Sequence, residues 1–428
     1  MPRIRPAASF PWILPALPLG LIALGLMVNQ ARADEGMWTF DQPPLADIQA
    51  RHGLKLTPEW LRQVQLASVN FGGASGSFVS SRGLVLTNHH VARGCIARLS
   101  TPERNLERDG FYAAKPADEL RCPGTVLKVL MSSGDVTDAV RAAVARAASP
   151  AERNTARKTA VAALERDCQQ ATALRCQVVP LYGGSLFHVY RYKEWDDVRL
   201  VFAPETQAAS FGGDADNFVY PRFALDFAFA RVYEGGQPAQ PPGVLKLAAT
   251  PVADGDTIFV PGHPGSTDRL RTMAQLRAAR DLNLPRQLAS LAAQQAMLHD
   301  YARQSPEAAR QAADVLAGIE NRLKAQRGEH AALLDPAVFA RKQQEEDALR
   351  AGWARLGQPG DPWALVEQAV ARQNAQRDLS TALNFGFRGP LANAGGLVEL
   401  ARERALPEAQ RLSAYRDTAL PQIERQLN

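Results

Sequence analysis

The sequence lacks the short motifs that most often bind metal ions. Its 428 residues contain four cysteines, with no C-x-x-C pair and no H-E-x-x-H sequence. Structural zinc sites take cysteine and histidine ligands at short spacings, and H-E-x-x-H is a common catalytic zinc motif. We therefore expect neither a metal site nor a cofactor. Tandem repeats and low-complexity segments are also lacking, and 46% hydrophobic with 22% charged residues is ordinary for globular domains.

The N-terminus has the composition of a secretory signal. Arg3 and Arg5 precede an apolar run over residues 10–28, which ends at the small-residue site A-R-A at 31–33. Prolines within the run and the A-x-A site argue against a permanent membrane anchor. We expect residues 1–33 to be a signal peptide cleaved near Ala33, giving a periplasmic or secreted protein without a stable membrane anchor.

The net charge of the chain without its signal does not indicate nucleic-acid binding. Removal of the signal removes three arginines and no acidic residue, so the formal net charge falls from +5 to about +2. We expect no nucleic-acid partner.

Export makes disulfides the expected state of the cysteines, because exported proteins fold in an oxidising compartment. Four cysteines allow three pairings, and the sequence leaves all three open. A Cys168–Cys176 bridge would close a short loop. A Cys95–Cys122 bridge would tie the segment after the histidines to the next strand.

The chain divides by composition into a β-rich part at 34–271 and an α-rich part at 272–428. The first part contains short β-type runs such as GSFVS, GLVLT, DVRLVFA, FALDFAFARVY and DTIFVPG, a pattern typical of a barrel or sandwich. An alanine-, arginine- and glutamate-rich stretch near 135–176 predicts a helical insertion. In the second part, Ser305-Pro306 has the pattern of a helix start.

Two adjacent histidines, His89 and His90, follow the run GLVLT. Neighbouring side chains on an extended backbone point to opposite faces, so we expect only one of them to face a cleft. The strand ends at a polar turn, which places His90 at the rim of the sheet. A structural or merely exposed histidine pair remains an alternative.

Asp226 lies in the alternating run FALDFAFARVY, which predicts a strand with this aspartate in its middle among small residues. A buried carboxylate without a partner is costly, so we expect it to be paired. An imidazole N–H is one candidate partner, and the guanidinium of Arg222 or Arg231 is the other.

Two serines have the glycine-containing surroundings of a nucleophile. Ser75 in GGASGS lacks the second glycine of G-x-S-x-G, and it precedes His90 by only 15 residues. We interpret its segment as the hairpin partner of the histidine strand. Ser266 lies in VPGHPGSTDR, which is typical of a turn. We expect neither serine to be the attacking group.

Several motifs in collinear order resemble one known family. They are GMW at 36–38, GGASGSFVSSRGLVLTNHH at 72–90, VRLVFAP at 198–204, FGGDADNFVYPR at 211–222 and PGHPGSTDR at 261–269. Together they resemble the bacterial exported dipeptidyl-peptidases of serine-peptidase family 46. The resemblance continues into the helical region around IENRLK.

The resemblance implies a chymotrypsin-like β-barrel, the first of two, followed by part of an inserted α-helical domain. It also implies removal of dipeptides from the free N-termini of peptides. His90 would be the general base, and Asp226 would orient its imidazole and stabilise the imidazolium. Family members commonly dimerise, so a homodimer is compatible with the resemblance.

Recognition of a free N-terminus would need groups that accept hydrogen bonds from its ammonium. By resemblance, Asn217, Phe218 and Asn321 would form this site.

The family often has tryptophan where Phe218 stands, so an indole N–H is lost. Cysteines of some members are replaced here by Ala74 and Val91. A turn rich in aspartate is the alternative for GGDADN, whereas the EF-hand glycine and distal glutamate are lacking.

The resemblance also predicts what these 428 residues do not contain. Family members continue into a second barrel that bears the nucleophilic serine, and no segment from Thr272 to Asn428 resembles its loop. We therefore expect this polypeptide to be inactive alone. The alternative is a non-catalytic protein or regulatory fragment that binds peptide N-termini.

Overall fold

A computed structural model describes residues 37–101, 103–263, 270–357, 359–384, 390–408, 411–412 and 415. The expected signal peptide at 1–33 and Ser266 lie outside these residues. Among the described helices, none combines the length and the apolarity that crossing a membrane requires.

All strands among the described residues belong to one antiparallel sheet of 11 strands, in the order β4-β9-β10-β3-β2-β1-β6-β8-β7, with β5 on β9 and β11 on β10. The strands are β1 Ser68–Phe71, β2 Ala74–Phe78, β3 Leu84–Thr87, β4 Phe111–Tyr112, β5 Leu120–Arg121, β6 Leu127–Asp135, β7 Arg175–Leu181, β8 Leu186–Trp195, β9 Asp197–Ala203, β10 Ala228–Glu234 and β11 Gln237–Pro238.

A single apolar cluster joins strands from distant parts of this sheet. Phe78 of β2 lies edge-on to Trp195 of β8, with ring centroids 5.6 Å apart. Leu127 of β6, Val198 of β9 and Val232 of β10 are buried in the same cluster. The sheet therefore curves around a common core, and this burial is its main source of stability.

Fourteen helices are described. They are α1 Leu45–His52, α2 Pro58–Ala67, α3 His89–Leu99, α4 Leu106–Asp109, α5 Thr137–Ala145, α6 Pro150–Thr172, α7 Thr206–Ala209, α8 Gly213–Asp216, α9 Met273–Ala278, α10 Leu284–Ala302, α11 Pro306–Leu334, α12 Pro336–Arg355, α13 Pro362–Asn384 and α14 Pro390–Arg404.

Local sequence explains where several of the long helices begin. The Ser149 side chain accepts a hydrogen bond from the backbone N–H of Glu152. The Glu152 side chain in turn accepts one from the backbone N–H of Ser149, and the two bonds form a capping box at the start of α6. At the start of α11, Ser305 accepts the N–H of Ala308, and proline occupies the first turn. The helix start predicted at Ser305-Pro306 is thus confirmed.

Two predicted β-type segments differ from the structure. The run DTIFVPG is not a strand, and its Ile258 and Val260 are exposed. The strand expected around Asp226 begins only at Ala228, which pairs with Thr87 at the end of β3. A strand needs a neighbour to take its backbone hydrogen bonds, and β3 offers none before this point.

The histidine pair does not continue an extended strand, as the alternation had predicted. It begins helix α3, with Asn88 at the N-cap in β-type backbone geometry. Asparagine is among the favoured N-cap residues, and the sequence after His90 is compatible with a helix. His89 and His90 are therefore successive residues of a first helical turn.

The structure contains two disulfides, Cys95–Cys122 and Cys168–Cys176. Of the three pairings that the sequence left open, this is the one that closes the shortest loops. The first ties α3 to the segment after β5, and both of its sulfurs are buried. The second ties α6 to β7.

We expect the Cys95–Cys122 disulfide to contribute more stability than Cys168–Cys176, because it closes a loop of 27 rather than 8 residues. Loop-closure entropy gives about 3.5 kcal/mol for the longer loop and about 2.5 kcal/mol for the shorter. Denaturant unfolding of the two paired cysteine-to-alanine variants measures the difference. An equal or larger loss from the Cys168→Ala/Cys176→Ala variant would contradict this expectation.

Candidate active site

The N-terminus of α3 carries His90 and holds a carboxylate. The first N–H groups of a helix have no partner within the helix. Asp226 supplies one, because its Oδ1 accepts the backbone N–H of His90 at 3.0 Å. A carboxylate is also favoured electrostatically at this end of a helix.

The same carboxylate binds the imidazole of His90. The distance from His90 Nδ1 to Asp226 Oδ2 is 2.7 Å, which is a short, charge-assisted hydrogen bond. Nδ1 is therefore the protonated nitrogen, and Nε2 is left to accept a proton. The His90 side chain is 66% exposed and that of Asp226 34%, so the ring is open to solvent while its partner is sheltered.

Asn88 is a third member of this site that sequence reasoning missed. Its Nδ2 donates to the backbone oxygen of Asp226 at 3.1 Å and to Oδ2 at 3.2 Å. Asn88, which directly precedes the histidine pair, thereby holds the aspartate in place. Its position at a helix N-cap was the available signal, although the side chain here serves Asp226 rather than its own helix.

Opposing effects set the pKa of Asp226. Burial raises this pKa. The hydrogen bonds from the His90 ring and backbone, together with the nearby histidines, lower it by more than burial raises it, so the pKa lies below its ordinary value. Asp226 is therefore ionised at neutral pH. Of the two partners that the sequence left open, the structure has the imidazole, since Arg231 pairs with Glu119 and Arg222 with Asn217.

His89 lies beneath the site and has a different environment. The residue is 2% exposed, and its buried Nε2 has no hydrogen-bond partner among the described residues. Burial lowers the pKa of His89, although the charge of Asp226 opposes this. A neutral, buried imidazole serves packing, so only His90 of the pair faces solvent.

Ser75 lies on β2, the hairpin partner of β3, as the sequence predicted. Its Oγ accepts the backbone N–H of His263 at 2.8 Å. The backbone of Gly262 comes so close that an added Cβ would lie 2.4 Å from this oxygen. Within the part of the chain that the structure describes, no hydrogen bond joins Ser75 to His90, and a nucleophile needs that contact.

A shallow cleft of about 290 Å³ adjoins the Asp226 carboxylate. Its walls come from β2, the end of β3 and the segment before β10. They are formed by Ser75, Gly76, Ser77, Leu86, Thr87, Asn88, Asp226 and Phe227.

The predicted amine-binding asparagines are in direct contact. Asn217 follows α8, and its Nδ2 donates to Oδ1 of Asn321 on α11 at 2.9 Å. Arg222 donates to Oδ1 of Asn217 at 3.0 Å. Each amide oxygen has two lone pairs, so each retains one acceptor position. Phe218 lies beside them with 64% of its surface exposed.

No group of three or more histidine, cysteine, aspartate or glutamate side chains is arranged for a metal ion within the described residues. The chemistry that the site can support is proton transfer at His90, with Asp226 fixing the tautomer.

A family model described as Peptidase S46 matches residues 33–428. This chain belongs to peptidase family S46. An Asp/Glu-specific dipeptidyl-peptidase of Shewanella putrefaciens is 30% identical over 432 residues, covering 96% of the S46 chain and 58% of the relative. A dipeptidyl-peptidase 7 of Porphyromonas endodontalis is 32% identical over 261 residues, covering 56% of the S46 chain and 32% of that relative.

Solved structures share the fold of the S46 chain. The crystal structure of Porphyromonas endodontalis DPP11 in complex with the dipeptide Arg-Glu matches with a TM-score of 0.71 at 22% identity. The match covers 92% of the S46 chain and 60% of DPP11. The chain thus spans less than two thirds of the length of these relatives.

We expect Asp226 to make the stability of the S46 chain depend on pH. Because its folded pKa lies below the ordinary value of 3.8, its stabilising effect is complete above that pH and is lost as the pH falls through the folded pKa. The stability difference between wild type and Asp226→Asn should shrink as the pH falls below about 4.

Urea unfolding from pH 3 to pH 7 measures this difference. Asp254→Asn, which removes an exposed carboxylate, is the matched control and should show a smaller pH dependence. A difference between wild type and Asp226→Asn that grows as the pH falls below about 4 would contradict the assignment.

Proposed function

We propose that this S46 chain carries the general base and the orienting acid of a serine dipeptidyl-peptidase, which removes dipeptides from the free N-termini of peptides. His90 is the base and Asp226 is the orienting acid. The observation that carries the proposal is the 2.7 Å bond from His90 Nδ1 to Asp226 Oδ2, with the other carboxylate oxygen held by the His90 backbone N–H.

In this mechanism Nε2 of His90 takes the proton of a serine hydroxyl as that oxygen attacks the peptide carbonyl. The imidazolium that forms is stabilised by the ionised Asp226, whose lowered pKa keeps it charged. The proton is then delivered to the leaving amine. Asn88 Nδ2 donates to the carboxylate oxygen that binds Nδ1, which supports the orientation in which the neutral ring carries its proton on Nδ1.

The amine of the substrate would be bound by Asn217 and Asn321, with Phe218 as an apolar wall. An ammonium has three donors, and the two amide oxygens each have an acceptor position left. The names of the relatives support this proposal, because a dipeptidyl-peptidase must measure two residues from the free amine.

We further propose that the β-rich part at 34–271 forms the first of two chymotrypsin-like barrels, with helical insertion near 135–176, and that 272–428 forms part of a helical domain. The curvature of the sheet around a shared core supports the first assignment. The succession from α9 onwards without strands, among the described residues, supports the second.

The nucleophilic serine, in this proposal, is not among the described residues. Ser75 is engaged by the His263 N–H and has no bond to His90 there. Absence of the nucleophile lowers turnover by roughly 10⁶ in well-studied serine peptidases. The polypeptide is therefore proposed to be inactive alone.

Export to the periplasm or beyond is proposed from residues 1–33 and is supported by the two disulfides, which persist in oxidising compartments. A homodimer remains a proposal from the family resemblance.

We expect the chain to bind free-amine peptides at least tenfold more tightly than the same peptides N-acetylated, because acetylation removes the charge and two donors. The probes are fluorescent tetrapeptides with leucine or aspartate in second place, titrated by anisotropy. Asn217→Ala should abolish the preference, whereas Asn154→Ala, an exposed asparagine on α6, should retain it. Equal binding of free and acetylated peptides would refute the amine site.

We expect a fluorophosphonate to leave Ser75 unlabelled, and the 428-residue chain to release no dipeptide from these peptides. The physical reason is that no general base contacts Ser75 in the described structure. Mass mapping after labelling tests this. If Ser75 is labelled and His90→Ala abolishes the labelling, the chain is a self-contained hydrolase. Peptide binding without hydrolysis agrees with the proposed partial site.

A further inference from the structure

The loop that carries Asn217 has an unusual backbone. Gly212 and Gly213 have φ of 78° and 57°, and Phe218 has φ of 58° although it is not glycine. A bulky residue rarely adopts this left-handed geometry unless its surroundings hold it there. The side chain of Asp216 also folds over Gly212, where an added Cβ would overlap it. The loop is therefore tightly wound and needs external support.

Apolar packing supplies little of that support. Phe211 and Phe218 are both exposed, as are Val219 and Tyr220 after them. Four backbone hydrogen bonds close the turn upon itself, from the N–H groups of residues 213, 216, 217 and 219. These bonds set the shape of the loop, but they do not fix it to the rest of the protein.

Lys324 on α11 binds this loop directly. Its Nζ donates to the carbonyl oxygens of Asp214 at 2.5 Å and Ala215 at 2.8 Å. Both carbonyls belong to α8, where the Asp214 oxygen also accepts the backbone N–H of Asn217, whereas α8 ends before it can supply an N–H to the Ala215 oxygen. An ammonium has three donors and no acceptor, so it suits two convergent carbonyls.

Lys324 and Asn321 lie three residues apart on the same helix, and side chains at this spacing share a face. Asn321 accepts the amide N–H of Asn217 at 2.9 Å. One face of α11 therefore holds the loop at two points, with Lys324 on the turn and Asn321 on the asparagine that ends it. Of the two contacts, only that of Lys324 is made by a charged group.

We propose that Lys324 is a positioning residue, which holds the loop against α11 so that Asn217 and Asn321 bind the substrate ammonium together. The inference rests on the proposed function for the amine site. The Lys324 ammonium is a cation like the substrate amine. Whether it supports the amine site or competes with the amine for it depends on its two hydrogen bonds to the loop carbonyls.

Hydrogen–deuterium exchange of the full chain without peptide tests the positioning itself. In Lys324→Met, which keeps the aliphatic stem, the amides of residues 213–219 should exchange about tenfold faster than in wild type. Arg322→Met removes an exposed cation from the same helix and should leave exchange unchanged. Unchanged exchange in Lys324→Met overturns the proposal.

Peptide binding tests the consequence. Lys324→Met should weaken binding of the free-amine tetrapeptides by about tenfold and leave the acetylated ones unaffected, whereas Lys324→Arg should retain most of the affinity. Unchanged or tighter binding in Lys324→Met overturns the positioning role. If wild type itself does not distinguish the two peptides, the proposed function and the amine-positioning role both fail, while exchange still decides whether Lys324 holds the loop.

Discussion

The site depends on the contact between the Asp226 carboxylate and the N-terminus of α3. One oxygen satisfies a helix N–H, and the other holds the imidazole of the same residue, His90. The backbone bond sets where the helix begins, and the side-chain bond sets which ring nitrogen carries the proton and which is left to accept one. A single group thus links the fold of this region to its chemistry, because neither bond can move without the other.

The sheet brings these residues together. Thr87 at the end of β3 pairs with Ala228 at the start of β10, so the segments that leave the sheet at this point run side by side. One contributes Asn88 and His90, and the other contributes Asp226. A register shift of one residue would displace Asp226 from Asn88 and His90. The buried residues of β3 and β10 oppose such a shift, since it would expose them.

Sequence patterns predicted what local physics determines. The β2–β3 hairpin, strand β9 and the start of α11 follow from alternation and capping residues. Contacts between distant residues were harder to foresee. The start of α3 is held by Asp226, which lies 136 residues from His90, whereas local alternation in GLVLTNHH predicts an extended run to its end. Similarly, no local pattern could distinguish imidazole from guanidinium as the partner of Asp226.

The two halves of the proposed site are supported by different forces. His90 and Asp226 leave strands whose core is buried, so their geometry changes only if the sheet does. Asn217 lies on a loop whose aromatic side chains are exposed, and polar contacts from α11 and Arg222 hold it. Each such hydrogen bond contributes about 1 kcal/mol net, and more where one of the groups is charged. In the proposed site, the His90–Asp226 pair is therefore fixed by the sheet, whereas the Asn217–Asn321 pair depends on individual polar contacts.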